Sequence, residues 1–210
     1  MIINIGVLAS TKATDLRAVI DAIEAKQLNA KISVLISDKE DAYALGKARK
    51  HGIEAVFIDP KSGDLMKIKD KEERRIAFDK KVSEALEKHK VELIIAIGYM
   101  RIISPWLVEK YRNRIMNIHP SLLPAFAGGM DMDVHAEVLK AGVNETGCTL
   151  HFVTEDVDSG PIILQKKVPV EENETVDSLK EKVQKAEQEI IVKAIKLYSE
   201  GRLKVEGKKQ

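Results

Sequence analysis

Ile2-Ile3-Asn4-Ile5-Gly6-Val7-Leu8-Ala9 is a near-continuous apolar run. A strand that is apolar on both sides is one buried on both faces, as in a parallel sheet covered by helices. The next segment fits that reading. Leu16, Val19, Ile20, Ala22 and Ile23 recur at helical spacing, with Thr14 as the expected N-cap. The alternation then repeats. Residues 32–36 read as a strand, and a helix opened by Asp38 or Asp41 runs through Ala42, Leu45 and Ala48 to a cap at Gly52. Residues 55–58 form a third strand, stopped by Asp59-Pro60. A charged segment, 61–75, leads into a helix that ends near Lys90. Residues 93–97 are a fourth strand ending at Gly98, Ser104-Pro105 opens a helix, and 115–118 are a short fifth strand. Strands alternating with helices mean a mostly parallel sheet wrapped on both faces, with ligands expected at the strand carboxyl ends.

The later part of the chain differs. Asp133 to Lys140 is a short helix before Gly142, and 148–153 and 162–168 are two strands, expected antiparallel. A last helix runs from Val176 to about Ser199, its apolar positions Leu179, Val183, Ala186, Ile190, Ala194 and Tyr198 following a 3.6 period. No repeat and no linker is visible, so one domain is expected.

Composition narrows the function. Lys+Arg is 34 and Asp+Glu 33, giving a net charge of +1, which argues against a nucleic-acid partner. No apolar run approaches the ~20 residues of a membrane span. A signal peptide is not expected, since the first residues lack a basic segment. The single cysteine, Cys148, leaves no disulfide framework or multi-cysteine zinc site and suits a reducing, cytoplasmic compartment. The five histidines show no metal-ligand spacing, so no metal is expected. No Gly-x-Gly-x-x-Gly follows the first strand, which excludes a nicotinamide-binding Rossmann domain.

The chemistry concentrates in Met116-Asn117-Ile118-His119-Pro120-Ser121-Leu122-Leu123-Pro124 and Val157-Asp158-Ser159-Gly160-Pro161. Asn117 and His119 are two apart, so on a strand both point to one side. Pro120 stops the strand, leaving an amide and an imidazole at its carboxyl end. Asp158 lies at a turn before a second apolar run. An amide, an imidazole and a carboxylate converging on one crevice suit transfer of a carbonyl-level group.

At these residues the chain resembles the glycinamide ribonucleotide (GAR) formyltransferases, folate-dependent enzymes of purine synthesis. The resemblance covers nearly the whole chain. It is carried by Gly98-Tyr99-Met100-Arg101-Ile102-Ile103-Ser104-Pro105, by 117–124, and by His151-Phe152-Val153-Thr154-Glu155-Asp156-Val157-Asp158-Ser159-Gly160-Pro161. It implies a single Rossmann-like, doubly wound α/β domain over 1–203. Residues 1–120 would be the nucleotide-binding half, 121–203 the folate and catalytic half, and 204–210 a polar tail. It implies that Asn117, His119 and Asp158 are catalytic and that the co-substrate is 10-formyltetrahydrofolate. Tyr99, Met100, Arg101, Ile102 and Ile103, with Thr154, Glu155, Asp156 and Val157, would line the pterin pocket. Thr11, Lys12, Ala13, Thr14, Asp15, Arg75, Pro120 and Glu187 would contact GAR, Arg75 at the phosphate and Glu187 at the ribose. His151 and His135 are further candidates.

Two departures stand out. The family's Gly-Asn-Gly-Ser-Asn loop, whose amides hold the phosphate, is here Thr11-Lys12-Ala13-Thr14-Asp15, without glycine. Fewer amide contacts are expected, with Lys12 and Arg75 compensating. The loop 128–135 is longer than the commonest family loop, which bears on its behaviour as a lid. The alternatives at this point are a hydrolase of formyltetrahydrofolate, a transferase to another amine, and a non-catalytic folate- or nucleotide-binding module. The family's hydrolases carry a regulatory domain ahead of the catalytic one, which turns the expectation toward a transferase. A homodimer stays open.

Overall fold

The computed structural model describes residues 2–128 and 133–203. The expectations for the middle of the 128–135 loop and for the 204–210 tail therefore lie outside the described residues. Seven strands are β1 (Ile3–Leu8), β2 (Ala30–Ser37), β3 (Ala55–Phe57), β4 (Leu93–Ala96), β5 (Ile115–His119), β6 (Glu145–Phe152) and β7 (Ile162–Pro169). The helices are α1 (Leu16–Glu24), α2 (Tyr43–Lys50), α3 (Gly63–Met66), α4 (Lys71–Lys88), α5 (Pro105–Lys110), α6 (Val134–Lys140) and α7 (Val176–Ser199). The sheet order is β3-β2-β1-β4-β5-β6-β7. β1 pairs in parallel with β2 and β4, β2 with β3 likewise, and β6 and β7 are antiparallel. The mostly parallel α/β sheet with an antiparallel C-terminal pair is the one expected.

Two compact units divide the chain. The first joins the residues up to Thr14 with Ala30–Met116, and the second joins Asp15–Asn29 with the chain from Asn117 onward. The core of the first centres on β1 and β4, where Ile5, Val7, Leu8, Leu93, Ile94 and Ile95 have no exposed surface. Gly6 is there because α4 comes close: a Cβ on it would lie 2.6 Å from Leu86 Cδ2 and 3.0 Å from Val91 Cγ1. In the second unit α7 lies against β6, β7 and α1, burying Leu179, Val183, Ile191, Ala194 and Ile195 completely.

Several helix starts differ from expectation. Asp15, not Thr14, is the N-cap of α1, and its side chain makes no capping hydrogen bond. α2 begins at Tyr43 after Ala42, with neither Asp38 nor Asp41 capping it; the Asp38 carboxylate accepts a hydrogen bond from Ser10 instead. The charged segment before Arg75 already contains α3 and the first turn of α4, capped by Asp70, which accepts from the Glu73 amide. Charge obscured both helices, because apolar periodicity is weak where one narrow face is buried. Ser104 caps α5 with Pro105 in its first turn, as the sequence predicts.

Candidate active site

β5 ends with the candidate side chains Asn117 and His119 at its carboxyl end because Pro120 ends the ladder one residue later. Asn117 and His119 stand on one side of it, and β6 brings His151 beside them. Asn117 Nδ2 lies 3.2 Å from His151 Nε2, and His151 Nδ1 lies 3.0 Å from the Phe152 carbonyl. A carbonyl only accepts, so Nδ1 of His151 carries a proton and Nε2 is the ring nitrogen facing the Asn117 amide. His119 Nε2 donates to the Phe126 carbonyl at 3.1 Å, which turns Nδ1 toward Asp158 Oδ2, 3.4 Å away. The other carboxylate oxygen, Oδ1, is 3.6 Å from His151 Nε2. Asp158 also accepts from the Gly128 amide at 3.2 Å. All four side chains lie in the second unit and form one cluster.

The cluster is nearly dry. His119, Asp158 and His151 side chains are 8%, 11% and 2% exposed. Burial holds His119 below the usual imidazole value, although the Asp158 carboxylate works to raise it. Burial pushes Asp158 up, but the His151 ring, the His119 charge and the Gly128 amide prevail and hold the carboxyl below its usual range. Asp158 acts on His119 only as an opposing pull; the net effect on the imidazole is downward. A carboxylate that stays charged against an imidazole reluctant to be charged is a site where one proton changes the local field substantially. Two non-glycine residues at this site hold left-handed backbone: Asp158 has φ +53° and Phe126 φ +58°. Asp tolerates that conformation; Phe does so only where surrounding structure imposes it.

In the first unit, Tyr99, Met100, Arg101, Ile102 and Ile103 form the link from β4 to α5. Gly98 turns it with φ +61°, and a Cβ there would lie 2.3 Å from Thr11 Oγ1. Ser10, Asp38 and Arg101 hold the link, and the sequence reading missed the first two. Ser10 Oγ donates to Asp38 at 2.5 Å and accepts from the Met100 amide at 2.8 Å. Arg101 lies 4.0 Å from Asp38 and stacks 4.0 Å above the Phe78 ring. Met100 and Ile102 are each 42% exposed, whereas Ile103 is buried in the core. Burial pushes the Tyr99 hydroxyl well above its usual value. The Asp79 carboxyl, also pushed up by burial, accepts from the Ser104 amide at 2.6 Å.

The remaining candidates fall into separate places. Thr11, Lys12 and Thr14 are exposed, while Ala13 is buried with φ +43°. The Arg75 guanidinium pairs with Glu72 at 3.2 Å, one turn away on α4. In the second unit, Asp15 is buried at the start of α1. Burial, reinforced by the charge of Asp15, drives the Glu187 carboxyl on α7 well above its usual range. Thr154 Oγ1 donates to the Asp156 carbonyl within the turn that leads to Asp158, and Val157 is exposed. His135 is buried in the first turn of α6, held below the usual imidazole value by burial. Among the described residues no group of three or more side chains has the arrangement of a metal site, and no helix is long and apolar enough to cross a membrane.

A family model described as "Formyl transferase" matches residues 3–195. The chain belongs to the formyl transferase family. It is 35% identical over 202 residues to a phosphoribosylglycinamide formyltransferase of Escherichia coli, covering 96% of this chain and 90% of that protein. It is 41% identical to the trifunctional purine biosynthetic protein adenosine-3 of Bos taurus, but spans only 19% of that longer protein. Among solved structures, a glycinamide ribonucleotide transformylase of Symbiobacterium toebii matches with a TM-score of 0.88 at 41% identity, covering 98% of this chain and 92% of the other. In this formyl transferase Asn117, His119, His151 and Asp158 form one contiguous polar cluster at the end of β5.

Proposed function

We propose that the chain transfers the formyl group of 10-formyltetrahydrofolate to the primary amine of glycinamide ribonucleotide. The observation that carries this is the dry Asn117–His119–Asp158 cluster, in a chain similar over nearly its full length to proteins named for that reaction. The amine nitrogen attacks the formyl carbon and forms a tetrahedral intermediate. The carbon–nitrogen bond to the folate then breaks, and one proton passes from the amine to the folate nitrogen. The Asn117 amide and the His119 imidazolium stabilise the oxyanion, each well-placed donor contributing ~3–4 kcal/mol. Asp158 favours the imidazolium and carries the proton from the amine to the folate nitrogen, directly or through water, returning to the carboxylate as the folate leaves. An α-amine has an unperturbed pKa of ~7.7–8.0, so a neutral nucleophile is available near pH 7.

In this reading Tyr99, Met100, Arg101, Ile102, Ile103, Thr154, Glu155, Asp156 and Val157 hold the folate. Thr11 to Asp15 and Arg75 hold the phosphate, and Glu187 takes the ribose. The test is purified protein with 10-formyltetrahydrofolate, with and without GAR, followed at the folate chromophore. Turnover that depends on GAR is the expected result. Turnover without GAR makes the chain a hydrolase, and folate binding without turnover makes it a binding module.

A further inference from the structure

The phosphate loop lacks glycine, yet it makes the turn that glycine would make, and Lys47 is placed to enforce it. Lys47 Nζ donates to the carbonyls of Lys12 and Ala13, each at 2.9 Å. One turn earlier on α2, the Ala44 amide donates to the Thr11 carbonyl at 3.2 Å. Three successive carbonyls of the loop are therefore turned toward α2. In a planar trans peptide the following N–H points opposite to the carbonyl. The amides of Lys12, Ala13 and Thr14 are thus turned away from α2 as a group. Successive amides directed to one side form a concavity for an anion. Ala13 sits at the centre of this segment with φ +43°, a conformation that costs an L-residue ~1–2 kcal/mol. Hydrogen bonds to the flanking carbonyls offset that cost.

We propose that Lys47 is a positioning residue that holds residues 11–14 with three amides outward, as a cradle for a phosphate monoester. This rests on the reading that the substrate carries such a phosphate at this loop. It also revises the expectation of fewer amide contacts. The cationic side chain acts from behind the loop, on its carbonyls.

Lys47→Met, Lys47→Gln, Ala13→Gly and the double variant combining Lys47→Met with Ala13→Gly test this, with circular dichroism to monitor folding. In Lys47→Met the KM for GAR should rise ~10-fold or more while kcat and the KM for formyl folate stay within ~3-fold, the pattern of lost uniform binding. Glycine reaches positive φ without the penalty, so in the Ala13→Gly background the same Lys47→Met change should shift the KM by only ~3-fold. A loss that Ala13→Gly does not reduce means the ammonium meets the phosphate directly, and the positioning role is wrong. An unchanged KM for GAR in a folded Lys47→Met overturns the proposal outright. Lys47→Gln, also neutral, takes its place if the methionine variant does not fold. Inorganic phosphate, titrated calorimetrically, gives a readout independent of turnover. Its Kd should weaken ~10-fold in the neutral variants, and a Kd unchanged from wild type overturns the cradle even if the wild type never formylates GAR.

Discussion

His119 is subject to two opposed influences, and its proposed role lies in their balance. Burial disfavours the imidazolium, while Asp158, 3.4 Å from Nδ1, favours it. His119→Ala should leave the circular dichroism spectrum unchanged and lower kcat by at least ~100-fold, the scale of a lost acid–base group. A variant retaining more than a tenth of the rate would remove His119 from the mechanism. Asp158→Asn keeps the shape and removes the charge, so only the Phe126 carbonyl still opposes burial at His119 and its pKa falls further. The limb of the pH–rate profile that follows His119 should move to lower pH, with folate affinity unaltered; a profile that stays in place assigns Asp158 to shaping the turn. Asn117 and His119 were legible in the sequence because two residues on one side of a strand need no knowledge of the rest of the fold. Sequence alone does not decide the place of His151, since only the alignment of β6 beside β5 shows that its ring meets the Asn117 amide. The Phe126 carbonyl and Gly128 amide are backbone groups, and no residue type marks them.

At the scale of elements, strand periodicity was readable and helix starts were less so. Asp38 illustrates the reason. As a sequence it is a plausible cap for α2, but its carboxylate is claimed by Ser10 from the end of β1. A tertiary hydrogen bond therefore outcompetes the local one. The pair has a consequence for the folate half of the reading. Ser10 accepts from the Met100 amide and Asp38 faces Arg101, so both fix the segment from β4 to α5. Removing Asp38 frees Ser10 to rotate and takes away the carboxylate paired with Arg101 at 4.0 Å. Asp38→Ala should raise the KM for formyl folate by ~10-fold, equivalent to ~1.4 kcal/mol, with the KM for GAR changing much less. Asp38→Asn keeps an acceptor for Ser10 and should recover part of that loss. If both variants match wild type in folate kinetics, the network has a purely structural role.

Across the whole molecule, stability and the proposed site oppose each other at α7. The extent of the helix was legible from its 3.6 period, but the stripe read there omits the fully buried Ile191 and Ile195 and includes the half-buried Tyr198. What the sequence did not disclose is that Asp15, from the start of α1, is close enough to reinforce the rise in the Glu187 carboxyl. A carboxyl whose folded pKa is raised binds its proton more tightly in the folded state than in the unfolded one. Stability is then full below the unfolded pKa of ~4.3 and falls as pH rises toward the folded value. His119 and His135 act in the other direction. Their folded values are depressed, so stability falls as pH drops below the unfolded value of ~6.5. Glu187→Gln keeps the volume and removes the first contribution while leaving the second. The melting temperature should rise above that of wild type at pH 8, by ~2–4 °C for each kcal/mol relieved, and the difference should shrink as pH approaches 4.5. The same variant should bind GAR less tightly if Glu187 holds the ribose. A melting-temperature difference that stays constant from pH 4.5 to 8 would show that the gain comes from packing, and that Glu187 does not titrate with folding.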